Sequence, residues 1–394
     1  MSAVPSVLRR TRQLRSAEQD NGALSAALLR RWNDLDALRP EWNTLLQASA
    51  ADTVFLTWEW IKAWVDAFGW RREPLLIAVR DRSGRLCALA PLYREAYVLP
   101  GGFRYRMLRV MGDRPTAAEY PDWIVRRDCE ALGVERIAQE LNRYPDWDGL
   151  WMPQVSGWTG GCERIASNCR KRGLHVLVRS IPFACADLPA SIATYEQSLN
   201  PDRRRKLRTE RKRILGREQV RILRTESASD LAQHLGALIE LHTLRRRRLG
   251  DEGAFAGRPE EERFYRKFAP VALDRGWLRL YVLREQNAIK AAQLGYCYNG
   301  VLLQVQEGFD PDYLDGVGNV LRFEAIRQCI EEGVRAYDFL GGYGDHKRRW
   351  GAALRHGHDL FIGRNSWLNR VMFRAGVWPT GKYLHPLSGR TNAT

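Results

Sequence analysis

Apolar residues fall at helical and at strand spacing in alternating blocks along most of the chain. From Asp34, Leu35, Leu38, Trp42, Leu45 and Leu46 form one helical stripe. After Thr57, Trp60, Ile61, Trp64, Val65 and Phe68 form a second, with Gly69 as its stop. A hairpin follows: residues 75–80, a turn at Asp81-Arg82-Ser83-Gly84, and residues 86–92. Further strands are predicted at 104–111, 122–125, 149–152 and 174–180, with helices at 128–141 and 157–172.

The order then recurs. Residues 278–284, a turn at Glu285-Gln286-Asn287 and residues 288–298 make another hairpin, after which Val301, Leu302, Leu303 and Val305 begin a strand. The loop Tyr313-Leu314-Asp315-Gly316-Val317-Gly318 leads into a helix capped by Asn319. That helix carries Val320, Leu321, Ala325, Ile326, Cys329 and Ile330 near one face and ends by Gly333, and a short strand follows at 336–340. A strand, a helix and a short strand thus occur at 122–152 and again at 301–340, which reads as a duplication. Only the second copy has glycines at its helix entry; the first has Arg126-Arg127-Asp128-Cys129. The fold class expected is α/β (α+β): two tandem domains, each a mixed twisted sheet flanked by helices.

Between the halves lies a basic helical insert, residues 199–249. Asn200-Pro201 suits a helix start, and eight of the eleven residues from Arg203 to Arg213 are Lys or Arg. A second helix ends in Arg245-Arg246-Arg247-Arg248, where cations complement the helix dipole. Two adjacent clusters exceed what helix ends need. The whole chain of 394 residues has a formal charge of +16, which points to an anionic partner: nucleic acid, a phosphorylated cofactor, an acidic polysaccharide or a membrane surface.

Seven scattered cysteines form no CxxC pair, so neither a disulfide framework nor a zinc site is expected, and His356-Gly357-His358 lacks the acidic or thiol partners of a metal centre. The Arg-rich start has no apolar signal core, and no run approaches the ~20 apolar residues of a membrane span. The expectation is a cytoplasmic protein, or one peripheral at the inner membrane face. The divisions read as a flexible basic segment 1–27, a first domain 28–185 without the glycine loop, a second domain 186–364 with the glycine loop and any phosphorylated cofactor, and a tail 365–394. In that tail Trp367, Leu368, Val371, Met372, Phe373 and Val377 alternate with Arg370, Arg374 and Lys382. Such a helix either docks on its own protein or rests on an anionic membrane.

A strand entering a helix through glycines aims backbone N–H groups and the positive helix end at one spot, which suits a diphosphate. Gly316, Val317, Gly318 and Asn319 are therefore the cofactor-binding candidates. Taken together, TWEWIKAWVDAFG, LLIAVRDRSGRLCALAPLYRE, SLNPDRRRKLRTERKR and GVGNVLRFEAIRQCIEEGVRAYDFLGGYGDHKRRWG resemble the CelD/BcsL-type acyltransferases of the GNAT (Gcn5-related N-acetyltransferase) superfamily. Their relatives are the Fem-type transferases that add amino acids to peptidoglycan precursors. The resemblance spans roughly residues 30–365. It implies a Q/R-x-x-G-x-G/A acyl-CoA loop at 313–318, with Tyr313 replacing the usual first residue. It also places Lys347, in His346-Lys347-Arg348-Arg349-Trp350-Gly351, in the role of a lysine that offsets negative charge on the reacting groups.

Acyl transfer needs a base and a stabilised oxyanion. No nucleophilic triad is legible, so direct attack on the donor is expected. Glu307, before the glycine loop, and Asp338, on the next strand, are the candidate bases; Tyr343 and His346 are other proton carriers. With Lys347 these are the catalytic candidates, and no metal is expected. Three readings stay open: an acyl-CoA-dependent N- or O-acyltransferase acting on a sugar, cell-envelope precursor or exopolysaccharide component; a Fem-like transferase using aminoacyl-tRNA held by the basic insert; and a non-catalytic RNA- or membrane-binding module.

Overall fold

A computed structural model describes residues 24–99, 102–113, 116–251, 253–375 and 385–386. In the first half, β1 (Leu24–Leu29), α1 (Trp32–Gln47), α2 (Trp58–Phe68), β2 (Glu73–Asp81), β3 (Leu86–Val98) and β4 (Arg104–Val110) come first. They are followed by β5 (Ile124–Val125), α3 (Glu130–Arg143), β6 (Gly149–Ser156), α4 (Gly161–Arg170) and β7 (His175–Asp187). The basic region holds α5 (Ile192–Ser198) and α6 (Pro201–Leu215). The second half comprises β8 (Val220–Arg224), α7 (Ala228–Arg248), α8 (Pro259–Asp274), β9 (Leu278–Glu285), β10 (Ala288–Tyr298) and β11 (Val301–Phe309). It ends with α9 (Val317–Glu331), β12 (Ala336–Gly341), α10 (Asp345–Arg348), β13 (Ala353–Gly363), α11 (Trp367–Arg374) and β14 (His385–Pro386). The mixed α/β character and flanked sheet expected from the sequence are present.

Thr57 caps α2 by accepting from the Trp60 N–H, as the pattern implied. Residues 1–23 of the expected flexible segment lie outside the described residues, and Leu24 to Ala27 already belong to β1. Most of the expected tail, residues 376–384 and 387–394, also lies outside them.

One sheet runs through both halves in the order β1-β2-β3-β4-β6-β13-β7-β12-β11-β10-β9-β8. The halves interleave: β13 of the second lies between β6 and β7 of the first, pairing antiparallel with both. In turn β7 crosses the expected boundary at residues 185–186 and pairs with β12. A common core fuses the halves. Trp60 on α2 is fully buried and packs edge-on against Phe264 and Phe268 of α8, each 4.7 Å away, and against Tyr296 at 5.7 Å.

Each half contains one parallel pair bridged by a helix, β4–α3–β6 (Met107↔Gly149) and β11–α9–β12 (Val301↔Ala336). This equivalence corrects the repeat as read from sequence. The strand matching β11 is β4, not residues 122–125, of which only Ile124–Val125 form a strand, β5, paired with β3. The first-half counterpart of the glycine loop is therefore the whole connection between β4 and α3.

Candidate active site

β11 and β12 share only three parallel rungs, from Val301↔Ala336 to Leu303↔Asp338, and then diverge. A register shift where β10 opposes β11 adds one residue to the β11 side. Between the diverging ends sits the start of α9. Gly316 takes φ +83°, a left-handed conformation open to glycine, and is itself the N-cap; Asn319 lies in the first turn and does not cap. Val317 points into the core, and Gly318 lies against the Phe309 ring.

The positive end of α9 is covered by a carboxylate from α6. Glu210, buried, places an oxygen 2.6 Å from where a Gly316 Cβ would be. It accepts from the Asn319 amide at 3.2 and 3.3 Å. Its cationic neighbours Arg203 and Lys206 stand back at 3.9 Å each. An acidic side chain thus stands beside the expected diphosphate position.

Beside Glu210 a cleft of about 600 Å³ opens between α6, α9 and α10, lined by Arg203, Lys206, Asn319, Arg322, His346 and Arg348 among others. Arg203 lies over the Trp350 ring at 4.2 Å, its side chain only 8 % exposed, and its Nε and Nη2 have no hydrogen-bond partner. Burial of that guanidinium pulls its pKa down. A buried, under-partnered cation at a cleft wall favours an anionic guest.

Glu307 is clamped by Arg245 at 3.0 Å and by Arg322. Burial alone would raise its pKa, but the two guanidiniums hold it below the usual carboxylate range. A carboxylate so stabilised is a weak base, and its evident work is to hold Arg322 at the cleft floor. Asp338 differs. It is buried on β12, accepts from Tyr120 Oη at 2.9 Å and the Leu340 N–H at 2.8 Å, and burial raises its pKa. Lys347 donates to the carbonyls of Phe339 (2.7 Å), Leu340 (3.2 Å) and Gly341, so these bonds occupy its ammonium. Burial lowers its pKa, and its charge couples to Glu119, Asp338, Arg322 and Glu307. The three catalytic candidates thus converge at the open end of β12, though Glu307 sits there as an ion-pair member.

Two members of this cluster, Glu119 and Tyr120, are not evident from local periodicity. Glu119 is buried, accepts from the Gly341 N–H at 2.8 and 2.7 Å and from Gln154 Nε2 at 2.9 Å, and burial pushes it up to about 8. Glu119 and Tyr120 arrive on the connection after β4. Trp60 and Trp64 pin that connection by donating to the Gly112 and Asp113 carbonyls, and Tyr265 of α8 by donating to Thr116. Tyr120, Gln154 and Leu340 each have φ near +60°. Such strained backbone persists where its surroundings over-determine it, which is common at functional sites. A usable sequence signal was the aperiodic acidic stretch Glu119-Tyr120-Pro121-Asp122, at the position the glycine loop holds in the other half.

Residues 201–348 match the acetyltransferase (GNAT) domain. That stretch of the chain is thus similar to a GNAT acetyltransferase domain. FemX has a similar fold, with a TM-score of 0.61 and 12 % identity over 86 % of this chain and 98 % of that one. The C-terminal domain of a putative lysylphosphatidylglycerol synthetase from Agrobacterium fabrum superposes at 0.51, with 12 % identity over 87 % and 96 %. A conserved protein from Bacteroides thetaiotaomicron also superposes at 0.51, with 10 % identity over 86 % and 100 %. No curated protein sequence matches the chain.

The geometry supplies a cationic cleft on the α9 side and buried carboxylates beside the end of β12. Among the described residues no group of His, Cys, Asp and Glu could hold a metal ion, and none is invoked here. The raised Glu119 pKa has a measurable consequence. Above 4.5 the unfolded state releases this proton while the folded state keeps it until about 8. Its contribution to stability is thus full in acid and is lost as pH rises through that window. The melting temperature of Glu119→Gln should fall less between pH 5 and 8 than that of the parent. Parallel curves would remove Glu119 as a buried proton carrier.

Proposed function

We propose that the chain is a direct-transfer acyltransferase, moving an acyl group from a polyanionic carrier, acyl-CoA in the leading reading, to an amine or hydroxyl of a glycan or cell-envelope precursor. The observation that carries this is the under-partnered Arg203 in a cationic cleft beside the N-terminus of α9, with Lys347, Glu119 and Asp338 at the adjoining strand ends. The donor's phosphates would meet Arg203, Lys206 and Arg348, and its acyl carbonyl would approach the field of Lys347. The acceptor loses a proton to Asp338 as its nitrogen or oxygen bonds the carbonyl carbon. The carbon–sulfur bond then breaks and the thiolate takes up the proton that Asp338 received.

A second cavity, of about 140 Å³, is lined by Asp338, Tyr120, Trp158, Tyr298, Asn299 and Arg355 among others. It mixes aromatic faces with polar groups and has room for one sugar ring or a short side chain, which supports an acceptor of that class. A specific observation favours a second donor. The Glu210 carboxylate at the start of α9 disfavours a diphosphate there. An aminoacyl-tRNA, the donor that the resemblance to Fem-type transferases implies, fits that arrangement.

Thermal-shift titration separates the two. Under the leading reading acetyl-CoA or a longer acyl-CoA raises the melting temperature, by the equivalent of about 2.7 kcal/mol at a hundredfold excess over Kd, and Arg203→Met removes most of the rise. If no CoA species acts while aminoacyl-tRNA binds with steep salt dependence, the tRNA reading replaces it. Silence from both donors removes the proposal.

A further inference from the structure

We infer that the surface formed by α11, Phe103 and Arg104 at the start of β4, and Trp70 and Arg71 after α2 is a docking surface for an anionic phospholipid bilayer. α11 is two-sided. Met372, Leu368 and Phe373 pack with Tyr105 and Phe361, and Asn369 accepts from Tyr105 Oη at 2.8 Å. Trp367, Arg370, Val371 and Arg374, spaced as one helical face, are left in solvent, with Trp367 63 % and Val371 57 % exposed. One face docks on its own protein and the other remains free.

The free face continues beyond the helix. Phe103, 46 % exposed, packs edge-on against Trp367 with ring centres 5.7 Å apart. Its neighbour Arg104 lines a cleft of about 750 Å³ shared with Trp70 and Arg71. Trp70 is 61 % exposed with the Arg71 guanidinium stacked over it at 3.8 Å. Among the described residues, Arg71, Arg104 and Arg374 are in no ion pair, whereas the deeper arginines of the cleft, Arg72, Arg94 and Arg106, are paired.

Exposed aromatic rings beside unpaired guanidiniums match a lipid interface: rings settle at headgroup depth and cations meet phosphates. Nucleic acid would use the same cations but gives no reason to leave Val371 and Trp367 uncovered on one helical face. No described helix is long and apolar enough to cross a membrane, so contact at this surface would be peripheral. This inference stands apart from the chemistry of the β11–β12 site.

Co-sedimentation of the full chain with vesicles tests it. The protein is expected to pellet with phosphatidylcholine–phosphatidylglycerol vesicles, less with phosphatidylcholine alone, and less as salt rises. The triple variant Arg71→Glu, Arg104→Glu, Arg374→Glu should weaken partitioning about tenfold or more. Trp367→Ser with Val371→Ser should weaken it at every salt concentration. Melting temperatures close to the parent's confirm that both variants fold. Partitioning that ignores lipid charge, or is unchanged in both variants, overturns the inference. So does failure to pellet with phosphatidylglycerol while tRNA binding depends on the three arginines.

Discussion

Turnover is expected to fall by about 10²- to 10³-fold in Lys347→Met, the scale of losing one preorganised charge at a developing oxyanion. Two effects act together. The positive field beside Glu119 and Asp338 disappears, and the carbonyls of Phe339, Leu340 and Gly341 lose a common donor. The second effect loosens the Leu340 turn, whose φ is +61°, and with it the Gly341 N–H held by Glu119. Steady-state kinetics separates the roles. If Lys347 acts on the reacting groups, kcat drops while KM for the donor changes little, and the pH optimum moves because the neighbouring carboxylates lose a cation. A variant with parent-like kcat and only a lower melting temperature would reduce Lys347 to a structural tie.

Gly316→Val is the other large effect. The new Cβ would meet the Glu210 carboxyl, with an oxygen at 2.6 Å, on a backbone at φ +83° that branched residues avoid. The start of α9 must shift, at a cost of about 1–3 kcal/mol, and donor binding at that helix end should fall below detection by calorimetry. Gly318→Val makes a softer comparison, since its nearest neighbour is the Phe309 ring at 3.1 Å and its backbone is ordinary. Glu210→Gln discriminates further. If a diphosphate binds the end of α9, removing the competing charge raises donor affinity several-fold; unchanged affinity would mean that the donor's phosphates lie elsewhere in the cleft.

Elements governed by local pattern were legible. The stripe after Thr57 became α2, the hairpin at 75–92 became β2 and β3, and the glycine entry became α9, because apolar spacing and turn residues encode these within a few positions. α8 and β8 were not recognised: Pro270 interrupts the helical pattern of one, and the other is a short strand rich in arginine. Lys347 and Asp338 were reached through the resemblance and the strand pattern. Glu119 and Tyr120 were not, because they act 218 or more residues away in sequence, Tyr120 on Asp338 and Glu119 on Gly341. Nothing periodic marks residues 112–123; only the pairing of the two halves shows that this connection takes the place of a glycine loop.

That pairing has a consequence for synthesis. While the chain emerges from the ribosome, β6 and β7 have no partner between them until residues 353–363 appear. The amino-terminal portion therefore waits, with apolar strand edges open, for almost the entire polypeptide. Expressed alone it should be prone to self-association, and co-expression with the carboxy-terminal portion should restore it to solution.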